Sequence, residues 1–165
     1  MKNSKAKTTN LQINQAGIEL IKSFEGFQPE KYECPAGKMT IGYGHVIKKG
    51  ESFTKLTKVA AEELLQDDLE YFEDKVRQLI TVPLNSNQFS ALVSFAFNAG
   101  EANLESSTLR RILNGGDYEG VGEQLMRWTK ARDKKGVLVE LEGLRRRRKA
   151  EKLLFESKDS AGGVA

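Results

Sequence analysis

The stretch from Phe24 to His45, FEGFQPEKYECPAGKMTIGYGH, constrains the fold of this chain more than any other segment. Its prolines, Pro29 and Pro35, and its closely spaced glycines exclude a continuous helix. The run Lys38–Tyr43 alternates and contains Thr, Ile and Tyr, which predicts a strand that returns in a hairpin. Two or three short strands are not stable alone, so the rest of the chain must supply a core.

Helices are predicted on both sides of this stretch. Asn14 is a predicted N-cap for a helix that runs to Phe24 and ends at Gly26. Thr57 is a predicted N-cap for a long helix that runs to about Ile80. The predicted apolar stripe of the long helix comprises Val59, Leu64, Leu65, Leu69, Phe72, Val76 and Leu79 or Ile80.

The second half of the chain is predicted to be helical. Asn85–Gln88 has the N-x-x-Q form of a capping box, and the apolar run Phe89–Phe97 behind it predicts a buried central helix. Further predicted segments are helices over Thr108–Leu113, Asp117–Trp128 and Glu140–Phe155, a charged loop over Lys130–Gly136, and flexible tails at residues 1–12 and 158–165. The predicted fold class is therefore α+β, mainly helical, with one domain over residues 13–157.

Composition limits the kinds of partner and site. The chain has 26 Lys and Arg against 23 Asp and Glu, a net charge of +3, with one local basic cluster at Arg145–Lys149, so nucleic acid is not an expected partner. Cys34 is the single cysteine, which excludes an internal disulfide. No apolar run is long enough to span a membrane, and the polar start predicts neither a signal peptide nor an anchor. The sequence has no metal-ligand spacing and no phosphate-loop motif, so no metal or cofactor is expected.

Glu25 is the candidate general acid. Cleavage of a glycosidic bond needs an acid that protonates the leaving oxygen and a second group that attacks carbon or brings in water. Such an acid works at neutral pH when a poorly solvated site raises its pKa, and the neighbouring Phe24 and Phe27 could provide that site. The alternative is an ordinary surface glutamate at a helix end.

Thr40 and Cys34 are the candidate partners of this acid. The Thr40 hydroxyl could hold a water opposite the acid, or the residue could serve only as a strand former. Cys34 would act as a nucleophile or base only as a thiolate; Lys31 and Lys38, nearby in sequence, would lower its pKa, whereas Glu33 would oppose that shift. The alternative for Cys34 is a small buried apolar residue.

His45 follows a Gly–Tyr–Gly turn and is predicted to have a supporting role. We expect its ring to pair with a carboxylate of the long helix, such as Asp68. That contact would tie the hairpin to the helix.

The spacing of these residues matches a family signature. Eight residues separate Glu25 from Cys34, five separate Cys34 from Thr40, and Ile41–His45 reads IGYGH. The stretch resembles the phage-type lysozymes, the endolysins of T-even and lambdoid bacteriophages in glycoside hydrolase family 24. Residues 87–100 and 143–151 resemble the central-helix and C-terminal-helix motifs of that family, so the resemblance covers about residues 13–155.

The resemblance implies a lysozyme-like α+β fold of two lobes with a substrate cleft between them. A small β lobe is expected over about residues 25–56, a connecting helix over 57–80 and a helical lobe over 81–157. The implied activity is that of a muramidase, which hydrolyses the β-1,4 bond between N-acetylmuramic acid and N-acetylglucosamine in peptidoglycan during host-cell lysis. Glu25 is implied as the acid and Thr40 as the group that positions water or sugar. Gly44, Phe97 and Asn98 are implied substrate-binding residues.

Cys34 departs from the best-known members of the family, which carry Asp at this position. A thiolate could act as general base toward water, which gives inversion, or attack the anomeric carbon, which gives retention through a thioglycosyl intermediate. Glu33 could substitute as the carboxylate, although in an extended segment it points to the face opposite Cys34.

The resemblance also implies partners and a location. Peptidoglycan is the expected substrate, and a holin, the membrane pore of phage lysis systems, is the expected partner for release from the host cytoplasm to the periplasmic cell wall. A monomer without a wall-binding module is expected. Arg145–Lys149 is expected either to engage anionic envelope polymers or to form salt bridges within a structural helix. Two other functions stay open: a lytic transglycosylase that forms anhydro-muramic ends, and a non-catalytic wall-binding relative.

Overall fold

The computed structural model describes residues 10–158, so residues 1–9 and 159–165, which make up most of the predicted tails 1–12 and 158–165, lie outside this part of the chain. The helices are α1 (Gln15–Glu25), α2 (Lys58–Leu79), α3 (Ser86–Ala99), α4 (Glu101–Ser106), α5 (Thr108–Asn114), α6 (Val121–Leu125) and α7 (Glu142–Glu156). The strands are β1 (Gln28–Glu33), β2 (Met39–Gly42), β3 (His45–Val46), β4 (Lys130–Arg132) and β5 (Leu138–Glu140). The predicted α+β class, mainly helical, is confirmed. Within residues 10–158, no helix combines the length and apolarity that a membrane span requires.

The chain divides into two compact units. The first unit is Ile21–Tyr71, and the second joins the residues up to Leu20 with the residues from Phe72 onward. Both boundaries fall inside helices, one in α1 and one in α2. The division into lobes at residues 25–56, 57–80 and 81–157 stays a prediction.

The unit Ile21–Tyr71 contains a three-stranded antiparallel sheet in the order β1–β2–β3. Tyr32 pairs with Thr40 across β1 and β2, and Ile41 pairs with His45 across β2 and β3. Thr40 and Ile41 on β2 and His45 on β3 are all buried, so side chains on both faces of β2 are covered. The strand predicted within Lys38–Tyr43 is confirmed.

Side-chain caps set the starts of the first two helices. The Asn14 side-chain oxygen accepts a hydrogen bond from the Gly17 backbone N–H at 2.9 Å. The Thr57 hydroxyl accepts one from the Ala60 backbone N–H at 3.1 Å. Both predicted N-caps are confirmed, and each satisfies a backbone donor that the first helical turn leaves without a partner.

Val59 does not belong to the buried stripe of α2. Its side chain is 71% exposed, whereas Ala61, Leu65 and Leu69 are buried. Adjacent helical residues are about 100° apart, so Val59 lies about 160° around the helix from Ala61. The stripe therefore starts at Ala61, and the prediction for Val59 is wrong.

Helix α3 is the buried helix of the second unit. The predicted capping box is present: the Asn85 side chain accepts from the Gln88 N–H at 2.7 Å, and the Gln88 side chain accepts from the Asn85 N–H at 2.9 Å. Every side chain from Phe89 to Ala96 is buried. Helix α7 packs against α3. The predicted central helix is confirmed.

Two predicted segments after α5 differ from the structure. Residues 130–140 form a hairpin of β4 and β5 rather than a charged loop. The Asp133 carboxylate closes its turn by accepting hydrogen bonds from the N–H groups of Lys135 and Val137, both at 2.9 Å. Helix α6 covers only the middle of the helix predicted over Asp117–Trp128, because Asp117 instead forms a turn by accepting from the Gly120 N–H at 3.0 Å.

The basic cluster Arg145–Lys149 is divided between core and surface. Arg147 and Arg148 are 3% and 1% exposed, and Glu151, one turn further along α7, is fully buried. Arg147 Nε lies 3.3 Å from Glu151, and Arg148 also pairs with that carboxylate. The expectation of structural salt bridges is confirmed for these two arginines, and the other members of the cluster are exposed.

Residues 11–14 form hydrogen bonds with helices of the second unit that lie far along the sequence. Arg77 on α2 donates from Nε to the Leu11 carbonyl at 2.9 Å, and the Glu73 carboxylate accepts from the Ile13 N–H at 2.8 Å. The Asn14 N–H donates to the Ser90 hydroxyl on α3 at 2.9 Å. Leu11 is thus anchored, although the predicted tail of residues 1–12 included it.

Candidate active site

Glu25 is the last residue of α1, where the chain turns toward the sheet. Gly26 follows with φ of +72° and donates its N–H to the Lys22 carbonyl at 3.0 Å, which ends the helix at this residue. A left-handed backbone of this kind favours glycine. The Glu25 side chain is half-buried. The end of α1 therefore fixes the backbone position from which the Glu25 side chain extends.

The backbone of Gly44 lies against the Glu25 carboxylate. A Cβ built on Gly44 would come within 2.9 Å of Glu25 Oε2, and Gly44 has φ of +83°. Only glycine combines this conformation with this close approach at no steric cost. Gly44 and Glu25, both candidate residues from the sequence, are thus brought together by the turn between β2 and β3.

Phe24 and Phe27 flank Glu25 in the sequence. Phe24 is 37% exposed and therefore faces solvent to a large extent. Phe27 packs against Tyr43, with ring centroids 5.5 Å apart. The prediction that Phe24 and Phe27 provide a poorly solvated site for the acid stays a prediction.

Cys34 and Thr40 lie together at the start of the hairpin. Cys34 is half-buried just beyond the end of β1, and its N–H donates to the Lys38 carbonyl at 2.9 Å. Thr40 is 3% exposed on β2, and its hydroxyl donates to the same carbonyl at 3.1 Å. Cys34 and Thr40, the second and third residues of the signature, therefore lie next to each other and share one hydrogen-bond acceptor.

The pKa of the Cys34 thiol is lowered, chiefly by a hydrogen bond from the backbone of Lys38. The backbone of Ala36 and the Thr40 hydroxyl add to this effect, and partial desolvation opposes it. The charges of Lys31 and Lys38, expected from the sequence to lower this pKa, are not among its causes. The pKa is lowered instead by hydrogen bonds from backbone groups of the hairpin turn and from one hydroxyl. Such bonds stabilise the thiolate relative to the neutral thiol.

The Thr40 hydroxyl has one proton and two acceptors within reach. It can donate to the Lys38 carbonyl or to the Cys34 sulfur. When the sulfur is a thiolate, the charge makes it the stronger acceptor. The acceptor that the Thr40 hydroxyl prefers therefore depends on whether Cys34 is a thiol or a thiolate.

Tyr32 is a further residue of this site that the sequence analysis did not identify. It lies directly opposite Thr40 in the sheet and is half-buried. Burial raises the pKa of its phenol, and the negative charges of Glu25 and Cys34 raise it further. The signal was its place two residues before Cys34, because alternate residues of a strand share a face.

His45 is held between two carboxylates. Its Nδ1 lies 2.7 Å from Asp68 on α2, and its Nε2 lies 3.0 Å from Glu51. The ring is buried and meets Phe53 edge-on, with centroids 5.6 Å apart. The expected hydrogen bond with Asp68 is present, and Glu51 is a second partner that nothing in the sequence pattern had indicated.

The Glu51 carboxylate also caps the loop after β3. It accepts a hydrogen bond from the Lys48 N–H at 2.7 Å. The pKa of Glu51 is lowered, first by this hydrogen bond and then by the one to His45. The loop, the sheet and α2 are therefore joined through one imidazole ring.

Phe97 and Asn98 lie in the last turn of α3, in the second unit. Phe97 is half-buried and meets Phe72 edge-on, with centroids 5.4 Å apart. Asn98 is exposed, and its side-chain oxygen accepts a hydrogen bond from Arg148. Their predicted contact with substrate stays a prediction.

Glu33 does not join the site. It is exposed, and its Oε1 would lie 3.7 Å from a Cβ on Gly37, in the hairpin turn. Across the part of the chain that the structure describes, no group of three or more His, Cys, Asp and Glu side chains could hold a metal ion.

Comparison with known proteins agrees with this architecture. The Phage lysozyme family model matches residues 22–151. An endolysin from Acyrthosiphon pisum secondary endosymbiont phage 1 is 40% identical over 149 residues, which cover 89% of this chain and 99% of that protein. The solved muramidase domain of SpmX from Asticaccaulis excentricus is 38% identical, with a TM-score of 0.83 over 90% of this chain and all (100%) of that one. An endolysin from Escherichia coli O157:H7 phage FAHEc1 is 36% identical, with a TM-score of 0.82 over 89% and 94% of the two chains. The predicted lysozyme-like fold is therefore confirmed, and the chain belongs to the phage lysozyme family.

Proposed function

We propose that this protein is a phage endolysin with muramidase activity, a glycoside hydrolase of family 24 with Cys34 in place of the usual Asp. Its substrate would be peptidoglycan, cleaved at the β-1,4 bond between N-acetylmuramic acid and N-acetylglucosamine. The observation that carries the proposal lies in the unit Ile21–Tyr71: a half-buried carboxylate at Glu25 accompanies a thiol of lowered pKa at Cys34. The resemblance to a solved muramidase domain also supports it.

In this proposal Glu25 is the general acid. It protonates the oxygen of the leaving sugar as the bond from the anomeric carbon to that oxygen breaks. The close approach of the Gly44 backbone limits where the carboxylate can lie and removes water from one side of it.

Cys34 acts as the second catalytic group in either of two ways. As a general base, the thiolate removes a proton from a water whose oxygen attacks the anomeric carbon, and the configuration inverts. As a nucleophile, the sulfur itself attacks that carbon, and Glu25 then deprotonates the water that hydrolyses the thioglycosyl intermediate, so the configuration is retained. Both routes need the thiolate, which the hydrogen bonds from Lys38 and Thr40 favour.

Other residues serve binding and positioning in the proposal. Thr40 holds water or sugar beside the sulfur, and the pair of His45 and Asp68 keeps the turn that carries Gly44 in place. Phe97 and Asn98 are the proposed glycan-binding residues of the second unit, the first through an apolar surface and the second through its amide. No metal or cofactor takes part.

The biological setting follows from the endolysin assignment. We propose that the protein is a monomer that remains in the host cytoplasm until lysis, passes the membrane through a holin pore, and acts on the periplasmic wall. To test this route, lysis is compared between host cells that make this protein together with a holin and host cells that make it without one. Lysis without any holin would contradict it.

The proposed activity is tested by mass spectrometry of the muropeptides released from purified Gram-negative peptidoglycan. Wild-type protein is expected to release reducing N-acetylmuramic acid ends, and Glu25→Gln is expected to lower the rate at least about 100-fold, because the acid is lost while the side-chain shape is kept. Circular dichroism and thermal unfolding check that the variant is folded. Anhydro-muramic ends would instead identify a lytic transglycosylase, and an absence of products together with wall binding would identify a non-catalytic relative.

A further inference from the structure

Arg148 on helix α7 connects the buried core of the second unit to the surface residue Asn98. Its Nε donates to the Trp128 carbonyl at 2.8 Å, one terminal nitrogen donates to Glu151, and the other donates to the Asn98 side-chain oxygen. The guanidinium also lies over the Phe95 ring, 5.0 Å from its centroid. All three nitrogens of the guanidinium thus have a fixed partner.

The burial of this arginine is energetically costly and needs a compensating charge. Arg148 is 1% exposed, and desolvation lowers its pKa, while the Glu151 carboxylate offsets part of that effect. Glu151 also accepts from the Ser94 hydroxyl at 2.6 Å and pairs with Arg147. The carboxylate and the Trp128 carbonyl already hold the cation within the core. The hydrogen bond to an exposed asparagine is therefore an additional contact at the end of the network.

The chemistry of the guanidinium determines how the Asn98 amide is oriented. A guanidinium donates hydrogen bonds and accepts none, so the amide oxygen must face Arg148. The amide nitrogen, with its two N–H donors, then faces away from the core. Among residues 10–158, Asn98 makes no other side-chain hydrogen bond. An exposed side chain is thus held in one orientation with two donors available.

We propose that Arg148 is a positioning residue that presents the Asn98 amide as a fixed hydrogen-bond donor to an oxygen acceptor of the bound glycan, such as an acetamido carbonyl. This inference rests on the proposed function, because it takes the glycan as the ligand. Fixing the side chain before binding reduces the conformational entropy that binding would otherwise remove. Arg148 itself does not touch the ligand.

The test compares four variants in binding and in turnover. Asn98→Asp keeps an acceptor for Arg148 but has no donor, so KM for a purified peptidoglycan tetrasaccharide is expected to rise about fivefold with kcat almost unchanged. Arg148→Lys keeps the charge but cannot serve three separated partners, and a similar rise in KM is expected. The double variant is expected to show no further rise, because both changes remove the same interaction. Arg146→Lys, an exposed neighbour on α7, is the matched control and should retain the wild-type KM.

A second measurement reads the positioning without any ligand. Nitrogen-15 relaxation of the Asn98 side-chain amide is expected to show an ordered amide in wild type and Arg146→Lys, and a mobile one in Arg148→Lys. A mobile amide in the wild-type protein would overturn the positioning role. A wild-type KM in Asn98→Asp, or additive effects in the double variant, would overturn the link to binding.

The two measurements also separate this inference from the proposed function. A wild-type protein that neither cleaves nor binds the tetrasaccharide, yet has an ordered Asn98 amide, would overturn the proposed function and the glycan as ligand. Active wild-type protein whose KM is unaffected by Asn98→Asp would overturn this inference alone. Should Arg148→Lys fail to fold, Asn98→Asp and the wild-type relaxation data still decide the outcome.

Discussion

Cys34 receives the hydrogen bonds that a carboxylate would need at the same place. The backbone of Lys38 and Ala36 and the hydroxyl of Thr40 all favour the charged form of the sulfur. The carboxylate of an Asp at this position would accept hydrogen bonds from the same donors. The hairpin turn therefore provides a site for a negative charge, and the thiolate is one of two side chains that can supply it.

We expect Cys34→Asp to remain active and Cys34→Ala to lose activity by at least about 100-fold, because alanine offers neither a base nor a nucleophile. The group must be deprotonated to act, so activity should rise with pH through its pKa. That rise should occur at lower pH in Cys34→Asp than in wild type, since a carboxyl has the lower ordinary pKa. Initial rates on peptidoglycan across the pH range measure both effects.

Cys34→Ser is the matched control for this series. It keeps the size and hydrogen bonding of the side chain without an accessible charged form, so it should resemble Cys34→Ala. A fully active Cys34→Ala would mean that the thiol is only a packing residue. The anomer released by wild type, read by proton NMR, then distinguishes the base from the nucleophile.

Gly44→Ala should lower both stability and activity. Alanine at φ of +83° costs about 1 kcal/mol, and its Cβ would press on Glu25 Oε2 from 2.9 Å. The carboxylate can move aside, but then it leaves the position that the acid needs, and we expect at least about a tenfold loss of kcat. Thermal unfolding and turnover measure the two effects separately.

Gly50→Ala separates strain from contact. Gly50 has φ of +92°, and a Cβ built on it meets no atom within 4 Å. The Gly50→Ala variant should lose about as much stability as Gly44→Ala and keep full activity. Equal losses of kcat in the two variants would mean that the contact with Glu25 is irrelevant.

At the scale of elements, His45 joins the loop after β3 to helix α2. Each ring nitrogen faces a carboxylate, Asp68 on the helix and Glu51 on the loop. The ring is buried, so breaking either contact leaves a polar group of the unit Ile21–Tyr71 without its partner. The turn that bears Gly44 immediately precedes this ring.

Glu51→Gln should therefore destabilise the protein near neutral pH but not in acid. The folded pKa of Glu51 lies below its ordinary value. Its contribution to the free energy of unfolding is then complete above the unfolded pKa, about 4.3, and is lost as pH falls through the folded pKa. Urea unfolding of both proteins from about pH 7 to pH 3 should show a stability difference that shrinks in acid.

Glu63→Gln is the control for this pH series, because Glu63 is an exposed carboxylate on α2. Its stability should follow that of wild type at every pH. A Glu51→Gln difference that persists unchanged in acid would contradict the role of the Glu51 charge.

At the scale of the whole molecule, the features that the sequence predicted well are local. The caps at Asn14, Thr57 and Asn85 each depend on a side chain and a backbone group three residues later. The run Phe89–Phe97 of α3 is apolar on nearly all sides, with only Ser90 and Ser94 polar, which predicted its burial. For the site, the resemblance to the family signature named Glu25 and Cys34, and their catalytic roles stay predictions.

The features that the sequence did not reveal depend on distant packing. Salt bridges were one of two expectations for the basic cluster, but which of its arginines are buried depends on partners from Glu151 and the end of α3, namely those of Arg147 and Arg148. The β4–β5 hairpin has strands of three residues, too short for an alternating pattern to stand out. Glu51 became a partner of His45 through the path of an irregular loop. No local pattern encodes these contacts.

The anchoring of residues 11–14 has a consequence for the order in which the protein can assemble. Asn14 and its partner Ser90 are separated by 76 positions, and Ile13 and Glu73 by 60. At a synthesis rate of roughly 5–20 residues per second, the ribosome needs several seconds to add that length of chain. Residues 11–14 thus leave the ribosome well before their partners, and these contacts of the second unit form only after Glu73 and Ser90 have been synthesised.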